Sequence, residues 1–406
     1  MKKNTQETFA FQQHVNLNLH VTEAGKGQFY LVAMPPGSSE RSFQAVDAYN
    51  EIAAVLSRRG LVIVHERIFG SLCAEPAVRA ARSEALTSEG ISPETPVTYI
   101  EGTLSCTDEL CGIIIRAVSC SESGHEVWTI RDGQAPCGRG WRRNNATFLV
   151  LQNLQGHEGG PGSVNTPPVQ TWHMLERAER ILQQQGASYH DVIRTWFYLD
   201  DILRWYDEFN KVRNAKYRSF GMMPGPGKEH LLLPASTGIR GSNTRGTAGV
   251  LELFAAVGPK ISRPAIKQLS NAGQKDAFCY GSAFSRGALV CENDVSLFQL
   301  SGTAAIDEKG KSLYPDDIRS QISFTFDKVD ELLEQSGGRL SDVCAATVFV
   351  KRPEYVSIFR EMAIARGLDH FPAVCVVTDI CREELLFEID AEAVIKKVKA
   401  SQRLKK

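Results

Sequence analysis

Two carboxylates near the C-terminal end, Glu388 and Asp390, stand two residues apart in the apolar run LLFEIDAEAV. Side chains alternate across a strand, so Leu386, Glu388 and Asp390 are expected on one face and Leu385, Phe387 and Ile389 on the other. The strand rise sets the two acids about 7 Å apart. Apolar neighbours desolvate a carboxylate and tighten its hold on a proton, which makes Glu388 a candidate general acid. Glu252, in the similar strand LELFAA, is the same residue type in a setting where tying down the fold is the better expectation. The single Cys381 lies just before the Glu388 strand with no histidine in sequence reach, so the residues alone read it as a small buried hydrophobe.

A ligand bearing carboxylates needs guanidinium partners, because arginine offers a planar fork and stays charged when partly buried. In VIRTWFYL the alternation groups Val192, Arg194, Trp196 and Tyr198 on one face and Ile193, Thr195, Phe197 and Leu199 on the other. The apolar set should meet helices, leaving Arg194 and Tyr198 toward a small-molecule pocket. Arg213 follows Phe209 by four residues and shares its helix face, while Arg286 and Arg382 stand in two further motifs. The expected partner is a small carboxylic acid.

Other chemistries find less support. The ten cysteines include no CxxC pair and the nine histidines no HxH or HxxxH, so free, mostly buried thiols and neither metal nor cofactor are expected. GHEGGPGS, residues 156–163, precedes a helix but no GxxxxGK[ST] follows, and MPGPGKEH, residues 223–230, reads as a turn. A net charge of −1 gives no long-range attraction for nucleic acid. Arg139, Arg142 and Arg143 around Trp141, and the basic tail from Lys396 to Lys406, read as solvated or local charge. No stretch of about 18 apolar residues occurs and no apolar run follows the N-terminal lysines, so a cytoplasmic protein without membrane contact is expected.

The elements that position these residues recur. A helix, a glycine turn, a strand, a second helix and a proline-led strand pair appear three times. The helical stripes are Val46, Tyr49, Ile52 and Leu56, then Trp172, Leu175, Ala178 and Ile181, then Ile318, Ile322, Phe326, Val329 and Leu333. Each is followed by glycine and a strand: LVIVHERIF, VIRTWFYL and VCAATVFV. The closing strands start after Pro96, Pro234 and Pro372, each 138 residues from the last. Linkers are expected near GWRRNN (140–145) and GPKISRPAIKQL (258–269), giving units 1–138, 139–260 and 261–406. A sheet with two helices on one face needs a partner for the other face, and three units supply one another's.

The last unit, from LFQLSGTAAID to FPAVCVVTDICREELLFEIDAEAV, resembles the RidA/YjgF superfamily. Over roughly residues 140–396 the motifs RTWFYLDDI, FNKVRNAKYRSFG, AFSRG, SGTA and DICREELLFEIDA resemble the chorismatases, which remove the enolpyruvyl group from chorismate. The resemblance implies an α+β fold of three tandem chorismate-mutase-like units forming a single-chain pseudo-trimer, open to further homo-oligomerisation. It also implies a cofactor-independent lyase or hydrolase. Glu388 would protonate the vinyl carbon, and water or a hydroxyl would trap the oxocarbenium ion. Cys381 would mark the hydroxybenzoate-forming type, and Arg194, Tyr198, Arg213, Arg286, Ala304 and Arg382 would contact substrate. RidA imine deaminases carry arginine after the Pro-Ala of the closing strand, where this chain has Thr98, Ser236 and Val374, which argues against deamination. LSNAGQKDAFCYGS, before AFSRG, departs from the chorismatase pattern of Tyr and Arg and leaves a non-catalytic metabolite-binding or assembly protein as the rival reading. The endoribonuclease label found in this superfamily has no His pair or stacking motif to support it here.

Overall fold

The computed structural model describes residues 9–14, 17–25, 27–36, 44–103, 110–120, 126–143, 146–156, 165–223, 233–258, 266–269, 283–292 and 295–396. The first unit consists of β1 (Phe9–His14), β2 (Leu17–Glu23), β3 (Gln28–Met34), α1 (Ala45–Arg59), β4 (Leu61–Gly70), α2 (Glu75–Ser88), β5 (Thr98–Glu101) and β6 (Leu110–Ser119). The middle unit repeats this order as β7 (Glu126–Asp132), β8 (Ala135–Arg143), β9 (Ala146–Leu154), α3 (Pro167–Gln184), β10 (Val192–Leu199), α4 (Ile202–Ser219), β11 (Ala235–Arg240) and β12 (Gly249–Val257). The last unit does so as β13 (Ile266–Leu269), β14 (Gly287–Cys291), β15 (Val295–Ala304), α5 (Ile318–Glu334), β16 (Val343–Val350), α6 (Tyr355–Ala365), β17 (Ala373–Val377) and β18 (Phe387–Lys396).

Each unit is a six-stranded mixed sheet with one connectivity, β1-β2-β3-β6-β4-β5 and its two counterparts. One parallel pair per sheet, β4 with β5, β10 with β11 and β16 with β17, is crossed by a helix, and every other pairing is antiparallel. The chain is therefore α+β, built of three tandem units.

Why these segments form these elements is largely hydrophobic patterning. Ile318, Ile322, Phe326, Val329 and Leu333 are all buried against the last sheet, and the Asp317 carboxylate caps α5 by accepting from the Ser320 amide. The stripes of the other two helices are shorter than expected. Val46 is 55% exposed in the first turn of α1, and Trp172 is 38% exposed, lying under the Lys216 ammonium; Met174 and Leu182 take the buried places on α3. Gly60 adopts φ 59° at the end of α1, the left-handed turn that glycine makes without penalty.

The expected boundary at 138/139 is overturned. Residues 126–138 belong to the middle sheet, because β8 pairs with β9 through Gly138↔Leu151, Arg139↔Val150 and Gly140↔Leu149. Gly138 and Gly140 are there for close packing and not as a linker: a β-carbon on Gly140 would collide with the Trp128 ring, and one on Gly138 with the Val150 carbonyl. Residues 140–143 of the GWRRNN stretch are thus strand β8, and Asn144 and Asn145 lie outside the described residues.

Each sheet buries one face under its own two helices, giving three separate cores. The opposite faces meet in a fourth cluster containing Tyr30 and Ile114 from the first unit, Trp196 and Phe254 from the middle, and Phe349 and Val394 from the last. Backbone hydrogen bonds close the ring: the amide of Glu101 donates to Ser242 (3.0 Å), that of Arg240 to Asp379 (3.2 Å) and that of Val377 to Gly102 (2.8 Å). Among the described residues no helix is long and apolar enough to cross a membrane. Of the eight described cysteines, all free, only Cys137 and Cys344 are buried, fewer than expected.

Candidate functional site

Glu388 is near the start of β18, paired with Ala304 on β15 and Phe349 on β16. The expected alternation holds within the strand. Phe387 and Ile389 join the helix-side core, whereas Glu388, Asp390 and Glu392 face inward, away from the helices of their own unit. It fails before the strand begins, where Leu386 packs on the helix side and Leu385 inward. The inward position aims the Glu388 carboxyl into a cleft between the middle and last units.

Room for that carboxyl comes from Gly302. The pairing of β15 with β18 shifts register between Leu300 and Thr303, and a β-carbon on Gly302 would collide with the Glu388 carboxylate. Gly302→Ala is therefore expected to leave folding largely intact and displace the carboxyl. A misplacement of this size costs about 100-fold in turnover, checked by steady-state kinetics beside the melting temperature.

The middle unit contributes Tyr206 and Arg213 from α4 and Ser236 and Gly238 from β11; the last unit contributes Phe284, Arg286, Ala304, Cys381 and Arg382. Burial first, and then the charge of Asp390, push Glu388 up to about 8, while Arg194 and Arg286 pull it down without cancelling this. At neutral pH the group is a carboxylic acid facing a cleft. Cys381, beside it, is pushed up to about 12 by burial and by Glu388, so it is a neutral thiol and not a nucleophile.

Arg213 is 1% exposed, donates to Asn210 Oδ1 at 2.7 Å and lies over the rings of Phe209 and Phe284. No acidic side chain among the described residues pairs with it, so its charge is one that an anionic ligand would balance. Arg286 is also buried, lying over the Phe284 ring. Arg382 reaches the cleft but holds the Gly310 carbonyl at 2.6 Å, which ties a loop to the wall. The free volume is narrow, about 40 Å³, room for a water or two.

Arg194 and Tyr198 face inward with Trp196 as expected, but they lie behind the cleft and do not line it. Val192 is on the opposite, helix side, because a bulge between Val192 and Arg194 reverses the alternation and turns Ile193 inward. Arg194 donates to Asp390 Oδ2 at 3.0 Å, and Thr237 donates to the same oxygen at 2.8 Å. Deeper still, where the three units meet, Glu392 accepts from Tyr30 (2.7 Å), Gln299 (3.0 Å) and Arg67 (3.3 Å), and Glu252 lies 3.3 Å from His65. Glu252 thus faces the first unit and not the cleft, with neither carboxylate oxygen accepting a hydrogen bond among the described residues.

The equivalent positions of the other units carry no acid. By strand pairing and by the 138-residue period, Gly112 and Val250 correspond to Glu388. A β-carbon on Gly112 would come within 2.5 Å of Val374 of the last unit, so that junction is filled. Among the described residues, one of the three junctions therefore holds a carboxyl at this position facing a cleft.

Ser236, the residue at the RidA arginine position, lines that cleft, its amide donating to Ser301 Oγ at 2.9 Å. Residues 282–395 match the Endoribonuclease L-PSP family. This L-PSP region contains Phe284, Arg286, Gly302, Ala304, Cys381, Arg382 and Glu388, which line the cleft from the last unit. A chorismatase crystal structure superposes with a TM-score of 0.58 at 18% identity, covering 92% of this chain and 99% of the other. The shared fold therefore extends beyond residues 140–396 into the first unit. RidA from the Antarctic bacterium Psychrobacter sp. (TM-score 0.26, 16% identity) and yeast Mmf1 (TM-score 0.28, 16% identity) each cover 32% of this chain and 99% of their own. Comparison with curated protein sequences gives no match. Among the described residues no group of three or more His, Cys, Asp or Glu side chains could hold a metal ion. The 269–282 segment, apart from Leu269, and most of GHEGGPGS, MPGPGKEH and the basic tail lie outside the described residues.

Proposed function

We propose that this protein is a cofactor-independent acid catalyst acting on the enolpyruvyl ether of a small cyclic carboxylic acid, chorismate or a close relative. The observation that carries it is a protonated, buried Glu388 sharing a cleft with Arg213, a buried cation lacking an acidic partner among the described residues. Glu388 gives its proton to the terminal vinyl carbon. The resulting oxocarbenium ion is trapped by water, which loses a proton to the Glu388 carboxylate, and the hemiketal collapses to pyruvate and the ring alcohol. Arg213 and Arg286 hold the carboxylates, and the neutral Cys381 thiol shapes the wall beside the reacting carbon. The chorismatase fold supports this reading.

Arg213→Met keeps most of the apolar contact and deletes the charge. It is expected to raise KM for chorismate about 10- to 100-fold, the worth of a charge-assisted hydrogen bond or two, with a smaller change in kcat. Initial-rate kinetics at several substrate concentrations would check this, and an unchanged KM would remove Arg213 from the site.

The narrowness of the cleft favours a second reading, a non-catalytic metabolite-binding or assembly protein on the same scaffold. Calorimetric titration with chorismate separates them: binding without turnover supports the second reading, and turnover supports the first.

A further inference from the structure

We propose that Asp390 is a positioning residue of the Glu388 site, its negative charge, pinned from the middle unit, keeping the neighbouring carboxyl in the acid form. The proposal rests, for its functional meaning, on the reading of Glu388 as proton donor. Asp390 is 2% exposed and shares the inward face of β18 with Glu388, about 7 Å away along the strand. Both of its hydrogen bonds come from the middle unit, from Arg194 at 3.0 Å and Thr237 at 2.8 Å, and neither donor lines the cleft. Arg194 is itself committed: its other amino group donates to the Thr195 carbonyl at 3.1 Å, and its plane lies 4.5 Å from the Trp196 ring, which Arg67 of the first unit also covers at 4.6 Å.

Among the described residues, the charged and titratable groups facing Glu388 come from the last and the middle units. Asp390 is on its own strand, Cys381 and Arg382 are in the turn before it, and Arg286 is at the start of the last unit. Arg194 lies on β10, and Arg213 and Tyr206 lie on α4. Arginines dominate that set and stabilise a carboxylate, so burial needs an ally if the acid is to survive at neutral pH. Asp390 is the one acid in the set. The middle unit thereby acts on the proton donor without touching substrate.

The test reads the protonated carboxyl stretch of Glu388 by infrared titration of the full chain in deuterated buffer, assigned by difference from Glu388→Gln. The native midpoint is expected near 8. Asp390→Asn is expected to lower it by about 2 pH units, since the repulsive charge is gone and Arg194 is left unbalanced. Arg194→Met is expected to shift it the opposite way, upward. An unmoved or raised midpoint in Asp390→Asn overturns the proposal, and if that variant does not fold, an unmoved or lowered midpoint in Arg194→Met does so. Opposite shifts with no turnover of chorismate by the native protein would keep the positioning role and remove the catalytic reading. Turnover with unmoved midpoints would do the reverse.

Discussion

Replacing Glu388 by Gln is expected to lower turnover of an enolpyruvyl ether by about 1,000-fold, the usual worth of a positioned general acid, while the protein folds as before. The amide matches the carboxyl in size, so it fits the space over Gly302, but it cannot deliver a proton. Because the native group sits near 8, kcat/KM should be flat below that pH and fall as the proton is lost above it. The same position affects stability with a definite sign. A carboxyl raised in the folded state binds its proton more tightly there than in the unfolded chain, so stability declines as pH rises from the ordinary 4.5 to about 8. Glu388→Gln removes that loss and should be more stable than the native protein at pH 9 by about 2–5 kcal/mol, with little difference at pH 4. Urea unfolding at the two pH values checks this, and an equal difference at both would mean that Glu388 is not held in its acid form.

Glu392→Ala is expected to destabilise the fold by about 3–5 kcal/mol, because it leaves buried cations without their carboxylate. Burial pushes the Glu392 carboxyl up, yet Arg67, Arg116, His65 and Tyr30 more than offset this and hold it below 4.5. A depressed carboxylate adds stability above its unfolded value and loses it as pH falls through the lower folded one. The difference between native and variant should therefore be full at pH 7 and shrink on acidification below 4.5. Denaturant midpoints at pH 7 and pH 3 measure it. A variant equal to native at pH 7 would show that the three-unit junction does not depend on this cluster.

Much of this arrangement could be read from residue order. The period of 138 residues between Pro96, Pro234 and Pro372 marks the three closing strands, which form in all three sheets. Glu388 was legible because β18 is regular where it matters. Alternation gives a face, however, and not a depth. Arg194 and Tyr198 do face inward, but their strand lies one layer behind the cleft, and a bulge before Arg194 breaks the pattern for Val192. The β7–β8 hairpin was hidden because Gly140, in GWRRNN, looks like part of a linker until the Trp128 ring is seen packed on it. Gly302 is similar: its space is defined by Glu388, 86 residues later in the chain. In HER, residues 65–67, the charges sit inside an apolar strand; His65 and Arg67 are partners of acids on two other sheets, and no local pattern records such distant pairs.

The most direct measurement is to incubate the native protein and Glu388→Gln with chorismate in deuterium oxide and follow pyruvate and ring products by chromatography and mass spectrometry at early times. The account predicts pyruvate carrying one solvent deuterium in its methyl group, released together with the ring alcohol, a dihydroxycyclohexadiene carboxylate, by the native protein and not by the variant. No pyruvate from the native protein, or equal amounts from both, would contradict it.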